Sequence, residues 1–140
     1  PPATRGANLE IRPRRDLIVD AAHIQAHLND KSISLVDARL EDFYTGKTPN
    51  GMPRQGHIAN ARSVPYPSLV TPDKEFLPAA ELAAKLGEAK SIVTYCHIGL
   101  QATVAYFAAR LTGRDVKLYD GSFEEWSAKP ELPIRQGDQP

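Results

Sequence analysis

The sequence predicts an α/β fold with a mostly parallel central sheet and helices on both faces. Two observations carry that expectation. Short apolar runs that read as buried strands are separated by stretches of helical spacing. At 140 residues the chain can bury one proper core and is too short for two ordinary domains. It has no internal repeat and no low-complexity tract.

Residues 1–15, rich in Pro, Arg and Gly, have no clean apolar period and read as a linker or arm. Residues 16–140 read as a single domain with an irregular C-terminal tail. Asp20 is placed to cap a short helix whose Ile24 and Leu28 share a face. Ser32 to Asp37 reads as a buried strand ending at Ala38-Arg39. Thr45 to Gly56 carries Gly46, Pro49, Gly51 and Pro53 in close order, a long loop of the kind that is often functional. Ala61 to Tyr66 reads as a short strand cut off by its prolines. Ala79 to Ala89 has helical Ala and Leu spacing, and Ser91 to Tyr95 is a second buried strand. Gln101 to Leu111 reads as a helix with Val104, Phe107, Ala108 and Leu111 on its apolar face, closed by Gly113 as a left-handed cap. Val116 to Tyr119 makes another strand and Asp120-Gly121 a turn. Ser122 is then expected to cap a last short helix, with Glu125 as its capping-box partner.

Lys plus Arg and Asp plus Glu number 17 each, so the formal net charge is zero. That balance gives no support to a nucleic-acid partner. The basic cluster Arg12, Arg14 and Arg15 is short and interrupted, and reads as solvated linker. The longest apolar runs fall far below the ~20 residues of a membrane span. A single cysteine excludes an internal disulfide and a Cys-x-x-Cys pair, and with four scattered His it offers no paired zinc-ligand spacing. No metal and no cofactor is expected. The chain opens at Pro1-Pro2 without a methionine, which reads as a processed chain or a piece of a longer one. The sequence leaves the compartment unknown: a cytoplasmic one is favoured, and a periplasmic one is compatible with a removed signal segment.

Cys96 stands where a buried strand stops and a five-residue loop, His97-Ile98-Gly99-Leu100-Gln101, leads into a helix. In open α/β sheets, ligand sites gather beyond the carboxyl ends of strands. Gly99 lets the loop backbone turn its N–H groups inward, and the following helix aims its positive dipole end at the loop. Such a setting favours the reactive thiolate. Most lone cysteines, however, are buried and structural. These residues alone leave the two readings level.

Four segments resemble the rhodanese (thiosulfate sulfurtransferase) family, in order. They are Leu35-Val36-Asp37-Ala38-Arg39; Gly56-His57-Ile58-Ala59-Asn60-Ala61 followed by Val64-Pro65; Tyr95-Cys96-His97-Ile98-Gly99-Leu100-Gln101-Ala102; and Leu118-Tyr119-Asp120-Gly121-Ser122-Phe123-Glu124-Glu125-Trp126. The resemblance is greatest to the cysteine-bearing C-terminal half of two-domain rhodaneses, and it spans roughly residues 16 to 133. It implies a rhodanese-like domain in which Cys96 takes a sulfane sulfur from thiosulfate or a related donor as a persulfide. A thiol, cyanide or protein acceptor then removes the sulfur. By the same resemblance, the backbone N–H groups from His97 through Ile98, Gly99, Leu100 and Gln101 to Ala102 cradle the anion. One such donor is worth ~2.7–4 kcal/mol in comparable sites. Arg39 is expected to reach the thiolate or the donor's sulfonate, against the alternative of a surface salt bridge. Asp37 is expected to anchor Arg39 or the loop backbone, His57 to stabilise its turn rather than act as a base, and Trp126 to pack. An N-terminal rhodanese-like domain is a further expected partner.

Two rivals are weighed. Phosphatases of the same fold need Cys-x5-Arg, and the residue six after Cys96 is Ala102. The other rival is a sulfur-carrier or protein-binding module with negligible turnover of free thiosulfate. The loop lacks the basic residues of some thiosulfate-preferring members and does not resemble the Cys-Gly-Ser-Gly of the mercaptopyruvate subgroup.

Overall fold

The computed structural model describes residues 10–140. Residues 1–9 of the expected linker lie outside the described residues. Residues 10–14 are exposed coil, and Arg14 pairs with Asp16 at 2.7 Å before a single tight turn at Arg15–Leu17.

The remainder runs β1 (Ile18–Val19), α1 (Ala21–His27), β2 (Ile33–Asp37), α2 (Glu41–Thr45), β3 (His57–Ile58), β4 (Arg62–Ser63), α3 (Ala79–Leu86), β5 (Ser91–Tyr95), α4 (Ala102–Leu111), β6 (Asp115–Tyr119), α5 (Ser122–Ala128) and β7 (Ile134–Arg135). Five strands form a parallel sheet in the order β1-β6-β5-β2-β4. The expected α/β architecture is the one observed. None of the helices among the described residues is long and apolar enough to cross a membrane.

Pleating divides the core in two, because successive side chains of a strand point to opposite faces. On one face Val36, Ala38, Ile92, Cys96 and Val116 pack with Leu82 and Leu86 of α3 and with the alanines of α4. On the other, Leu35, Val93, Tyr95 and Tyr119 pack with Ile24 of α1 and with Phe123 and Trp126 of α5. Asp20 caps α1 as its sequence suggests, accepting the His23 N–H at 2.8 Å.

Three local expectations are corrected. The buried face of α4 is Ala102, Ala105, Ala108 and Ala109, while Phe107 and Leu111 stay 52% and 46% exposed. Small side chains let the helix lie close on the sheet, so the bulkier ones fall on its flank. Ser122 does not cap α5. It is the helix's first residue, at φ 52°, and the Glu125 carboxylate takes the Tyr119 hydroxyl at 2.8 Å and the Lys129 ammonium at 2.6 Å instead. The C-terminal tail is only partly irregular, since β7 pairs antiparallel with β3 in a second, two-stranded sheet.

The long loop between α2 and β3 has a structural job. From it Arg54 donates to the carbonyls of Trp126, Ser127, Lys129 and Leu132, closing the C-terminal end of α5 with a cation where the helix dipole is negative.

Candidate active site

Cys96 follows the last residue of β5 and is 1% exposed, packed on the α4 face of the sheet. Its chain neighbours are held by the start of α5. The Phe123 and Glu124 N–H groups donate to the carbonyls of Cys96 and His97, each at 3.0 Å. The Cys96 N–H donates to Ser122 Oγ at 3.2 Å, and the Ser122 hydroxyl donates to the Tyr119 carbonyl at 2.9 Å. With these carbonyls fixed outward, the loop is free to turn its amides the other way. The N–H groups from His97 to Ala102 meet no acceptor among the described residues. A run of unpartnered amides leading into the first turn of α4 is an arrangement suited to an anion.

Gly99, at φ +88°, is where the loop turns. A Cβ added there would come within 2.8 Å of Asp120 Oδ1, so only glycine fits both the torsion and the space. Ile98 and Leu100 on either side are 58% and 73% exposed. The Gln101 side chain ends with Oε1 buried and without a partner among the described residues, and Ala102 is buried at the head of α4. His97 is half-buried, edge-on to Phe43 of α2 at 4.8 Å. Burial first, and then the charge of Arg39, push its basicity below the ordinary range.

Arg39 is placed differently from the sequence expectation. It is wholly buried, and so is Asp37. Its Nε lies 2.9 Å and its Nη2 2.5 Å from the Asp37 carboxylate, and Nη2 also donates to the Gly56 carbonyl at 2.7 Å. The guanidinium lies 4.1 Å over the Phe123 ring, on the α5 side, whereas Cys96 packs on the α4 side. Of its three nitrogens, Nη1 alone has no partner among the described residues. Desolvation opposes the charge of Arg39, but the carboxylate outweighs it and holds the guanidinium above its usual range. The pair ties β2 to the Gly56 turn.

His57 sits in β3, wholly buried among backbone carbonyls and stacked on Tyr44 at 3.7 Å. It lies with the Gly56 turn and the C-terminal tail. Trp126 is wholly buried, its indole N–H donating to the Pro133 carbonyl at 3.0 Å. Ser122 is the residue at the site that sequence reading missed. The sequence marks a turn at Asp120-Gly121, but the left-handed torsion of Ser122 and the bond its hydroxyl accepts from the Cys96 N–H leave no mark in composition.

Comparison with known proteins bears on the same segments. The model of the family described as rhodanese-like domain matches residues 20–129. A probable 3-mercaptopyruvate sulfurtransferase of Pseudomonas aeruginosa is 30% identical over 96% of this chain and 50% of its own length. The sulfur carrier protein TtuD of Thermus thermophilus is 34% identical over 92% of this chain and 49% of its own. This chain thus spans about half the length of these curated relatives. The anaerobic ergothioneine biosynthesis enzyme of Chlorobium limicola, solved with trimethyl histidine, superposes with a TM-score of 0.77 at 26% identity, over 89% of this chain and 33% of that one. A structure of EanB with ergothioneine linked to a cysteine persulfide gives 0.79 at 26% identity, over 93% and 34%.

Proposed function

We propose that this chain, which belongs to the rhodanese-like domain family, moves a sulfane sulfur through a persulfide on Cys96. The observation that carries the reading is the placement of Cys96 at the end of a central strand, against a loop whose amides from His97 to Ala102 are unpartnered.

The Cys96 thiolate attacks the outer sulfur of a donor. With thiosulfate, the S–S bond of the donor breaks, sulfite leaves with the electron pair, and Cys96 carries a persulfide. An acceptor thiolate or cyanide then attacks the terminal sulfur and regenerates the Cys96 thiolate, with no net oxidation of the protein. The loop amides stabilise negative charge on sulfur as it moves from Sγ to the terminal atom. Ser122 and the start of α5 hold the backbone that supports them. Arg39 acts through the Gly56 turn and the β2 end rather than by touching the donor.

A second reading is a sulfur-carrier or docking module that loads sulfur and releases it only to a particular protein. Likeness to a sulfur carrier protein favours it, as does a loop with no Lys or Arg from Cys96 to Ala102. Intact mass of wild type and Cys96→Ser, before and after thiosulfate and then cyanide, tests both. A gain of one sulfur on wild type alone, lost to cyanide, is the expected result. Loading without release to cyanide or small thiols would select the carrier. No gain with thiosulfate, mercaptopyruvate or a low-molecular-weight persulfide would overturn sulfur transfer.

A further inference from the structure

We propose that the mouth of the Cys96 loop selects an organic sulfane-sulfur donor, an apolar body with a single negative charge, over the small dianion thiosulfate. Ile98 and Leu100 are the residues that make the selection. The proposal rests on the persulfide reading of Cys96 and adds to it a class of donor. Its own observation is the character of the side chains around the amide run.

The loop offers no cation. No Lys or Arg stands from Cys96 to Ala102. Arg39, which leaves the neighbouring strand, is turned into the opposite layer and paired with Asp37, and the two charges act on His97 in opposite directions. Burial first, and then Arg39, keep the half-buried His97 less basic than ordinary, so its imidazole is uncharged at neutral pH. The formal charges beside the loop are carboxylates instead. Asp120 stands against Gly99, with Oδ1 2.8 Å from where a Cβ would be, and the exposed Glu124 donates its N–H to the His97 carbonyl. The amide run answers one negative charge, the one that moves from Sγ to the terminal sulfur. The sulfonate of thiosulfate brings a second, whose usual partners are guanidinium and ammonium groups.

The side chains of the same loop are apolar and wet. Ile98 and Leu100 flank Gly99 at 58% and 73% exposure, and Phe43 of α2 meets the His97 ring edge-on at 4.8 Å. Apolar side chains held in water on a functional loop gain when a ligand covers them. An aryl or alkyl body supplies that cover, and thiosulfate has none. With an organic thiosulfonate, the Cys96 thiolate forms a bond to the outer sulfur. The bond from that sulfur to the sulfonyl group breaks, and a sulfinate leaves with the electron pair. Two negative charges enter the step and two remain, one on the persulfide and one on the sulfinate.

The test is single-turnover loading of Cys96, followed by intact mass, with benzenethiosulfonate, methanethiosulfonate and thiosulfate. Each rate is divided by that of the same donor with cyanide in free solution, which removes intrinsic reactivity. The expected order is benzenethiosulfonate, methanethiosulfonate, thiosulfate. The first two should differ about tenfold, the low end of what an apolar contact contributes to specificity. Ile98→Ser and Leu100→Ser are expected to lower the phenyl-to-methyl ratio several-fold, and Leu100→Arg to raise thiosulfate loading about tenfold. Both side chains are exposed, and a melting curve checks that each variant folds. A phenyl-to-methyl ratio near one, a ratio indifferent to the serine variants, or thiosulfate ahead of both would overturn the selection and leave the persulfide reading standing. No loading from any of the three donors would overturn the Cys96 reading and the proposal with it.

Discussion

Two strand ends lie side by side in this molecule and do opposite things with their polar groups. β2 and β5 run in register, with Asp37 opposite Tyr95 and the Ala38 N–H donating to the Tyr95 carbonyl at 2.9 Å. Arg39 therefore leaves β2 beside the point where Cys96 and His97 leave β5. At the first end a full positive and a full negative charge are folded inward and paired at 0% exposure. At the second no Lys, Arg, Asp or Glu stands from Cys96 to Ala102, and the amides from His97 to Ala102 have no acceptor among the described residues. Pleat parity makes the difference. Asp37, Tyr95 and Arg39 lie with the α5 layer, while Cys96 lies with the α4 layer. One end consumes its polarity in holding the sheet to the Gly56 turn, and the other keeps polarity in reserve for an anion.

The sharpest way to break this comparison is Arg39→Met. Truncating one partner of a buried pair leaves Asp37 uncompensated, and the expected cost is about 3–5 kcal/mol, read as a lower urea midpoint. Persulfide loading of whatever protein remains folded should persist, because the guanidinium lies in the opposite layer from the sulfur. A folded Arg39→Met protein that cannot load sulfur would place Arg39 at the donor after all.

Gly99→Ala attacks the other end. A left-handed torsion costs a non-glycine residue about 1–2 kcal/mol, and the added Cβ would also press on Asp120, whose Oδ1 is 2.8 Å from it. The loop relieves this by moving, which spoils the aim of its amides. Single-turnover loading is expected to fall about 100-fold, the scale of losing one preorganised donor, with a smaller loss of stability than for Arg39→Met. Unchanged loading with the strain evident in the melting curve would mean that the amide run is not the cradle.

How much of this was legible beforehand differs between the same two ends. Strands β2, β4, β5 and β6, the α4 and α5 segments and the loop after Cys96 could be read from apolar runs and glycine placement, because local pattern dictates them, whereas the two-residue strands β1, β3 and β7 are too short to leave a pattern. The direction of Arg39 could not. It depends on which layer a residue just past a strand enters, and that is decided by the Asp37 carboxylate, the Gly56 carbonyl and the Phe123 ring, which come from distant parts of the chain. The same holds for Arg54, whose four carbonyl partners lie more than seventy residues away. It holds for α4 as well, where apolarity alone suggested a face of Val104, Phe107, Ala108 and Leu111, and close packing kept Ala108 and joined it to Ala102, Ala105 and Ala109.

Ser122 joins the two regions, and its substitution is expected to have the smallest effect. Its hydroxyl takes the Cys96 N–H and gives to the Tyr119 carbonyl, while its backbone sits at φ 52°. Ser122→Ala removes both bonds and keeps the strained torsion. Ser122→Gly removes both bonds and relieves it. A buried hydrogen bond contributes about 1 kcal/mol, so Ala should lower stability by roughly one to two such units and slow loading several-fold. Gly should recover part of the stability, because it adopts the torsion freely. If the hydroxyl is what aims the loop, Gly will be as slow as Ala in single-turnover loading despite being more stable. If Gly instead restores the rate, the loop is aimed by the Phe123 and Glu124 amides, and the serine matters only for the turn that leads into them.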